Sequence, residues 1–380
     1  MTDHTTPRPE LWSLDPGQLH LNHGSFGAVP IRTQQALAEL HAEADTNPMA
    51  WFRAVGARVA AARLELAAYL RTDPAGFALV SNASAGVTAA LHTLPIPAGG
   101  RILLTNHTYG AVRFAAERFA RLNDAEVVEV AVPLEADDDT VVATIASALD
   151  DRTAVLVVDQ ISSATAMTFP IDRLVETCHA VGVPVVVDGA HSPALIDAPA
   201  EDGADFWTGN FHKWPCTPRG TAGLVVAPQW RERTQPLVVS WSEYAELPER
   251  FDQQATNDYA GWIAAPESLR LLAELDWPLR RSHLSTLVDE GARILAKALG
   301  TGVGEVARPA PTMRLVELPS SVQLTQESGE ALKARASREI GAEITVTGFD
   351  GRFFVRLSAH AYNSLRDYEI LSERLPRLLR

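Results

Sequence analysis

Cysteine is almost missing from this chain. Cys178 and Cys216 are the two in 380 residues, which excludes a disulfide framework and a cysteine-rich zinc site. Positive charge is also short: Lys and Arg total 33 against 47 Asp and Glu, a formal charge of −14. Such a chain lacks the clustered cations that displace counterions from nucleic acid and the polybasic patch that holds a protein on anionic lipid. No apolar run reaches the about 20 residues of a membrane span. There is no G-x-G-x-x-G or P-loop sequence, and Ser162-Ser163 lacks a G-x-S-x-G setting. The 11 His are scattered without close metal-ligand spacing, so no metal site is expected. The N-terminal MTDHTTPRPELW is polar, without the charged-then-apolar order of a secretory signal. These absences lead to the expectation of a cytoplasmic enzyme with neither a nucleic-acid nor a membrane partner.

What is present is ordinary globular composition, 46% hydrophobic and 21% charged, which excludes disorder. Short β-branched runs alternate with Ala-rich amphipathic stretches. The runs cover 77–80, 101–105, 126–132, 154–158, 183–187, 206–208 and 223–227. Helical patterns lie between them at 85–94, 111–122, 140–149 and 171–181. Continuous apolar strands alternating with helices predict an α/β fold with a mostly parallel sheet covered on both faces. Near residue 260 the pattern changes to helices at 264–275, 284–299 and 330–340, strands at 313–318, 343–347 and 352–357, and a last helix after Ser364. The expected division is an N-terminal arm over 1–20, a large unit over 21–258 and a smaller α+β unit over 259–380.

Two segments stand out chemically. In Val185-Val186-Val187-Asp188-Gly189-Ala190-His191 a carboxylate ends an apolar strand, where open α/β sheets bind ligands; a helix cap or turn explains it as well. In Gly209-Asn210-Phe211-His212-Lys213-Trp214 a lysine lies between aromatics. Desolvation there would lower its pKa, as a Schiff-base lysine needs, although a surface lysine covering an aromatic has the same local sequence. Together, an Asp about 25 residues before such a Lys fits a pyridoxal phosphate site. The carboxylate would keep the pyridine nitrogen protonated and the lysine would bind the cofactor carbon. Ser81-Asn82-Ala83-Ser84 opens a helix and offers an anion cradle or a plain N-cap. Tyr109, at a strand end, would stack on a ring or pack in the core. Arg356, in an apolar run, would fork onto a substrate carboxylate or pair internally.

These segments resemble the class V aminotransferase family of fold-type I pyridoxal-phosphate enzymes, and most closely its isopenicillin N epimerase-like branch. Further likeness lies in Leu21-Asn22-His23-Gly24-Ser25-Phe26-Gly27, in Asp159-Gln160-Ile161-Ser162-Ser163-Ala164-Thr165-Ala166, and in Arg356-Leu357-Ser358-Ala359-His360-Ala361-Tyr362-Asn363. The resemblance runs from about Leu21 to Asn363. It implies a large unit with a seven-stranded sheet plus a smaller α+β unit, pyridoxal 5'-phosphate as cofactor, an amino-acid-derived substrate, and a homodimer with its site at the interface. By position, Lys213 would be the Schiff-base lysine and Asp188 the partner of the pyridine nitrogen, with His191 beside the ring. Asn82, Ala83, Ser84 and His212 would hold the phosphate, with Thr256 reaching it across the interface. Tyr109 would cover the ring, and Asp159, Ser162 and Asn210 complete the cofactor set. Asn22, His23, Gly24 and Arg356 would bind substrate. Gln160, Ser162 and Asn257 depart from the His, Thr and Arg expected in the branch. They are expected near the substrate side of the cofactor, and count against isopenicillin N epimerase activity itself.

The branch also contains carbon–sulfur lyases and desulfurases, some in ergothioneine-type, lincosamide-type or other antibiotic pathways. The expected reaction is β-elimination at a carbon–sulfur bond. Epimerisation, oxidative decarboxylation–deamination, transamination and a silent binding role are the alternatives. Cys178, within a helix, is expected to be structural, and Cys216, three residues past Lys213, is too close along the chain to serve as a swinging nucleophile, which discounts a cysteine desulfurase. Substrate selectivity is expected from 22–26, 49–52 and 241–244, with Trp51, Trp241 and Trp262 as candidate pocket walls.

Overall fold

A computed structural model of the chain describes residues 4–322 and 325–379. At its centre is a seven-stranded sheet. Its spatial order is Phe77–Val80, Ala222–Val226, Phe206–Asn210, Val185–Asp188, Thr153–Asp159, Arg101–Thr105 and Glu126–Val130. Ala222–Val226 runs against both of its neighbours, and the other pairings are parallel.

Successive side chains of a strand point to opposite faces, and here both faces are apolar. Ile102, Leu104, Val155, Val157 and Val186 enter one core layer with Val87 and Ala90 of helix Ala83–Thr93 and Val112 and Ala116 of helix Gly110–Leu122. Leu103, Leu156, Val158, Val185 and Val187 enter the opposite layer. That layer includes Val55, Val59 and Leu66 of helix Pro48–Leu70, Leu174 of helix Ile171–His179 and Trp262 of helix Ala260–Glu274. A sheet with no polar face must be covered twice, and it is.

Beyond the sheet, Trp277–Leu299, Gln326–Ile340 and Leu365–Leu378 are helices around an antiparallel sheet of order Thr345–Phe349, Arg352–Ser358, Met313–Glu317. The N-terminal pair Leu19–His20 joins this region by pairing in parallel with Ala342–Glu343. Helix Ala260–Glu274 packs instead on Ile31–Thr46 and Pro48–Leu70. The pattern change near residue 260 thus precedes a helix that adheres to the large sheet. The chain turns toward the small sheet at Asp276, whose φ is 51°. Among the described residues no helix is long and apolar enough to cross a membrane.

Candidate active site

Parallel strands bring their C-terminal ends to one edge. Asp159 lies opposite Asp188 in the ladder, and Asp188 lies opposite Thr208. Asn210 ends the next strand, and the chain then turns to Lys213. These ends open on a cavity of about 710 Å3.

The cavity wall contains Gly24, Asn82, Ala83, Ser84, Tyr109, Asp159, Asp188, His191, Asn210, His212, Lys213 and Arg356. Twelve of the candidate residues, scattered over more than 330 positions of sequence, thereby share one space. Lys213 Nζ lies 2.9 Å from His191 Nε2. Burial lowers the lysine to about 7, with Asp188 and Asp159 opposing and Arg356 reinforcing that shift. The surface-lysine alternative therefore falls. His191 is held neutral by burial and by the nearby Lys213 charge. Burial raises both carboxyls, and Asp159 is raised further by Asp188. Asp188 also accepts the Ala190 N–H at 2.9 Å and faces Lys213. The nearby Lys213 charge opposes this rise in both carboxyls. His212 is lowered to about 4, chiefly by burial.

Asn82 caps helix Ala83–Thr93, accepting the Ala85 N–H at 2.9 Å, while Asn210 Oδ1 accepts the Ala83 N–H at 2.8 Å. Both readings of this segment hold at once: it is an N-cap, and its first turn forms part of the cavity wall. Gly86 lets the helix approach so closely that an added Cβ would overlap Thr208. Tyr109 is half exposed at the cavity wall, so it is not a core residue.

Arg356 is 1% exposed, yet its hydrogen-bond partners are neutral. They are the Ser163 carbonyl and hydroxyl, Asn22 Oδ1 at 3.2 Å and Ser25 Oγ at 3.1 Å. The internal ion pair is thus excluded among the described residues. Burial lowers the guanidinium to about 10, so it remains a cation at neutral pH.

Several expectations need correction. His23 does not line the cavity. It lies behind Lys213, with Nε2 3.0 Å from the Lys213 carbonyl and Nδ1 2.7 Å from the Tyr362 hydroxyl. Ser162 is fully buried, and its hydroxyl donates to the His107 carbonyl at 3.2 Å. Asn22 acts through its contact with Arg356. Gln160 is not on the cavity side: it accepts the Trp207 indole N–H at 3.0 Å and donates to the Pro199 carbonyl at 2.8 Å. Asn257 is exposed and outside the cavity; Thr256 is exposed too, and its expected contact, across a subunit interface, is not one that this chain's own cavity would show. Trp51 and Trp262 belong to the core under the sheet, while Trp241 is 96% exposed. None of these three walls the cavity.

Two features had no sequence signal. Glu330, Lys333, Thr345, Val346 and Thr347 form the outer cavity wall, although nothing in their spacing reports a ligand. His23, Cys216 and His360 converge with their ligand atoms within 4.8 Å of one another, a geometry open to a metal. The imidazoles are already committed, however. Tyr362 donates to His23 Nδ1, which makes Nε2–H the donor to the Lys213 carbonyl. His360 Nε2 lies 3.2 Å from the Trp214 carbonyl. Each ring nitrogen that faces the thiol carries a proton already in use.

The donor set fits a phosphorylated pyridine aldehyde. The cavity offers a lysine whose pKa burial has lowered to about 7, a buried carboxylate to face a ring nitrogen, and a helix start for a phosphate. His191 Nδ1 and Arg356 Nε are buried without partners, so the wall keeps hydrogen-bonding capacity for a guest.

Comparison with known proteins agrees with this geometry. Residues 29–370 match the family model described as aminotransferase class-V. The chain is 31% identical over 306 residues to isopenicillin N epimerase of Streptomyces clavuligerus, covering 76% of this chain and 77% of that protein. It is 22% identical over 373 residues to hercynylcysteine sulfoxide lyase of Schizosaccharomyces pombe (strain 972 / ATCC 24843), covering 95% and 94%. A solved C-DES mutant with glycine covalently linked to its PLP cofactor superposes with a TM-score of 0.83 at 18% identity, over 98% of this chain and 99% of that one. With the fold, the cavity and the family model in accord, the chain belongs to the aminotransferase class-V family of fold-type I, pyridoxal-phosphate-dependent enzymes, in its isopenicillin N epimerase-like branch.

Proposed function

We propose that the chain is a carbon–sulfur lyase that acts by β-elimination on an amino acid bearing sulfur at Cβ, in sulfur or secondary metabolism. The observation that carries this reading is the meeting of Lys213 and the unpaired Arg356 in one cavity. Asp188 would face the pyridine nitrogen, Asn82, Ala83, Ser84 and His212 the phosphate, and Tyr109 and His191 the ring. When bound, the cofactor supplies a sink for the electron pair released at Cα. Arg356 holds the substrate α-carboxylate through its fork. Lys213, about half unprotonated near pH 7, takes the Cα proton at Nζ. His191, held neutral, accepts a hydrogen bond from Nζ and keeps the amine aimed. The Cβ–S bond breaks with its electrons on sulfur, and the products are a thiol, a 2-keto acid and ammonia, with one water consumed.

Cysteine-mediated sulfur transfer has no candidate nucleophile here. Cys178 and Cys216 are buried outside the cavity, and burial pushes both thiols up, Cys178 to about 12. The hercynylcysteine sulfoxide lyase relative supports carbon–sulfur chemistry. Epimerisation is the second reading, favoured by the Tyr109 hydroxyl on the same cavity wall and by the epimerase relative. Incubation with S-methyl-L-cysteine separates the two. Release of 2-keto acid supports the lyase; solvent deuterium at Cα with inverted configuration and no keto acid refutes it. Lys213→Ala should abolish covalent cofactor capture.

A homodimer belongs to the same proposal. Thr256 is exposed in the single chain, as a residue serving a second subunit's cavity must be. Leu237, Val239, Trp241 and Tyr244 stand exposed within one short stretch of chain, which suits association. Sedimentation at the size of one chain would refute it.

A further inference from the structure

Lysine is rare in this protein. Of 33 Lys and Arg residues, three are lysines: Lys213, Lys297 and Lys333. Two of those three, Lys213 and Lys333, line the same cavity. Lys333 lies on helix Gln326–Ile340 and pairs with Glu330, 2.5 Å away and one turn earlier. Pairs spaced this way usually decorate solvent-facing helix surfaces and contribute little. The comparable pairs Glu267–Arg270, Glu290–Arg293, Arg335–Glu339 and Arg366–Glu369 lie outside this cavity. Lys333 and Glu330 both lie in its wall.

From these placements we infer that Lys333 and Glu330 recognise the far end of the substrate, and that this end carries both a carboxylate and an ammonium. The inference rests on the lyase reading for the substrate's head group. Thr345 lies opposite Arg356 in the small sheet. Thr347, two residues further along that strand, is displaced outward by about 7 Å on the same face. Its hydroxyl is buried without a partner. The wall that holds Arg356 thus also holds Thr347, with its unused hydrogen-bonding group, together with Glu330 and Lys333.

The ion pair restricts what can bind at its end. A guest with only a carboxylate meets Lys333 but is repelled by Glu330; a guest with only an ammonium meets the reverse. A far end with both charges exchanges partners with the pair, so neither protein charge is left facing its like. Lysine, a compact charge with three rotatable donors, re-aims for such an exchange more readily than the rigid fork of arginine.

The test is titration of the pyridoxal-phosphate-loaded enzyme with four thioethers of L-cysteine: S-methyl, S-(2-carboxyethyl), S-(2-aminoethyl), and L-cystathionine, whose far end carries both charges. Apparent Kd is read from the change in cofactor absorption. L-Cystathionine should bind about ten-fold more tightly than the other three, a modest charge-assisted gain at a partly exposed site. Lys333→Met and Glu330→Gln should each remove that advantage, Lys333→Arg should keep part of it, and S-methyl-L-cysteine should be unaffected by all three. Equal affinity for the four ligands, or an advantage that survives Lys333→Met, overturns the inference. Keto acid release is scored separately. Ordered affinities without release refute the lyase reading alone, whereas release with flat affinities refutes this inference alone.

Discussion

At pH 7 the Lys213 amine is about half neutral, because burial has brought it to about 7. An ordinary lysine near 10.4 is neutral to only about 4 parts in 10,000 at that pH, so the reactive form is enriched roughly 1,000-fold. The cofactor-free protein should reveal this in competitive trace acetylation with acetic anhydride. The Lys213 peptide is quantified against N-α-acetyl-lysine amide in the same tube from pH 5 to 11. Modification of Lys213 should reach half its maximum near pH 7. The neighbours give the argument its sign. Asp188 and Asp159 raise the lysine, and Arg356 lowers it. Asp188→Asn should therefore move the midpoint down, and Arg356→Gln should move it up. A wild-type midpoint above about 9, the range of a solvated amine, would refute the burial argument. Shifts of the opposite sign would refute the assigned neighbours.

Gly27→Ala would drive a Cβ into the carbonyl oxygens of His212 and Lys213. Overpacking of this kind costs about 1–3 kcal/mol, so the urea midpoint and cofactor affinity should fall together. Arg63 and Asp252 form a buried bidentate pair at 2.8 and 3.0 Å. Arg63→Met strands the carboxylate and should cost about 3–5 kcal/mol in denaturant unfolding, with cofactor absorption intact in the folded fraction. His107 and His212 are each lowered to about 4 by burial. The unfolded chain therefore binds their protons first as pH falls, and stability from this source, full above about 6.5, is lost toward pH 4. The urea midpoint should drop over that window, and less steeply in His107→Gln.

The large sheet was legible because its strands are apolar on both faces and bounded by turn residues; Phe77–Val80 and Arg101–Thr105 match their expected limits. Asp188 and Lys213 were legible because strand-end chemistry is local. Helices Ile31–Thr46 and Pro48–Leu70 went unread. The first fully buries only Thr33 and sets Leu40 and Ala44 part-buried against the core, a thin signal, and the second is rich in alanine. The pairing of Leu19–His20 with Ala342–Glu343 is two residues long and more than 300 apart, too short and too distant to leave a pattern. Gln160 was misplaced for a different reason. Trp207 lies against Gly189 and Gly209, and the indole N–H there needs an acceptor, which only the assembled sheet identifies. The cavity's outer wall comes from a helix and strand whose polar residues read as ordinary surface until the small sheet is docked.

The hydrogen bonds behind Lys213 have a consequence for biosynthesis. The lysine's peptide group is braced by His23, His23 by Tyr362, and the neighbouring Trp214 carbonyl by His360. A chain still on the ribosome can form the central strands well before residues 356–363 leave the exit tunnel, yet the brace closes only afterwards. The backing of the lysine's peptide group is thus complete only once residues 356–363 have folded in. A nascent chain stalled before Tyr362 would present the lysine without its backing.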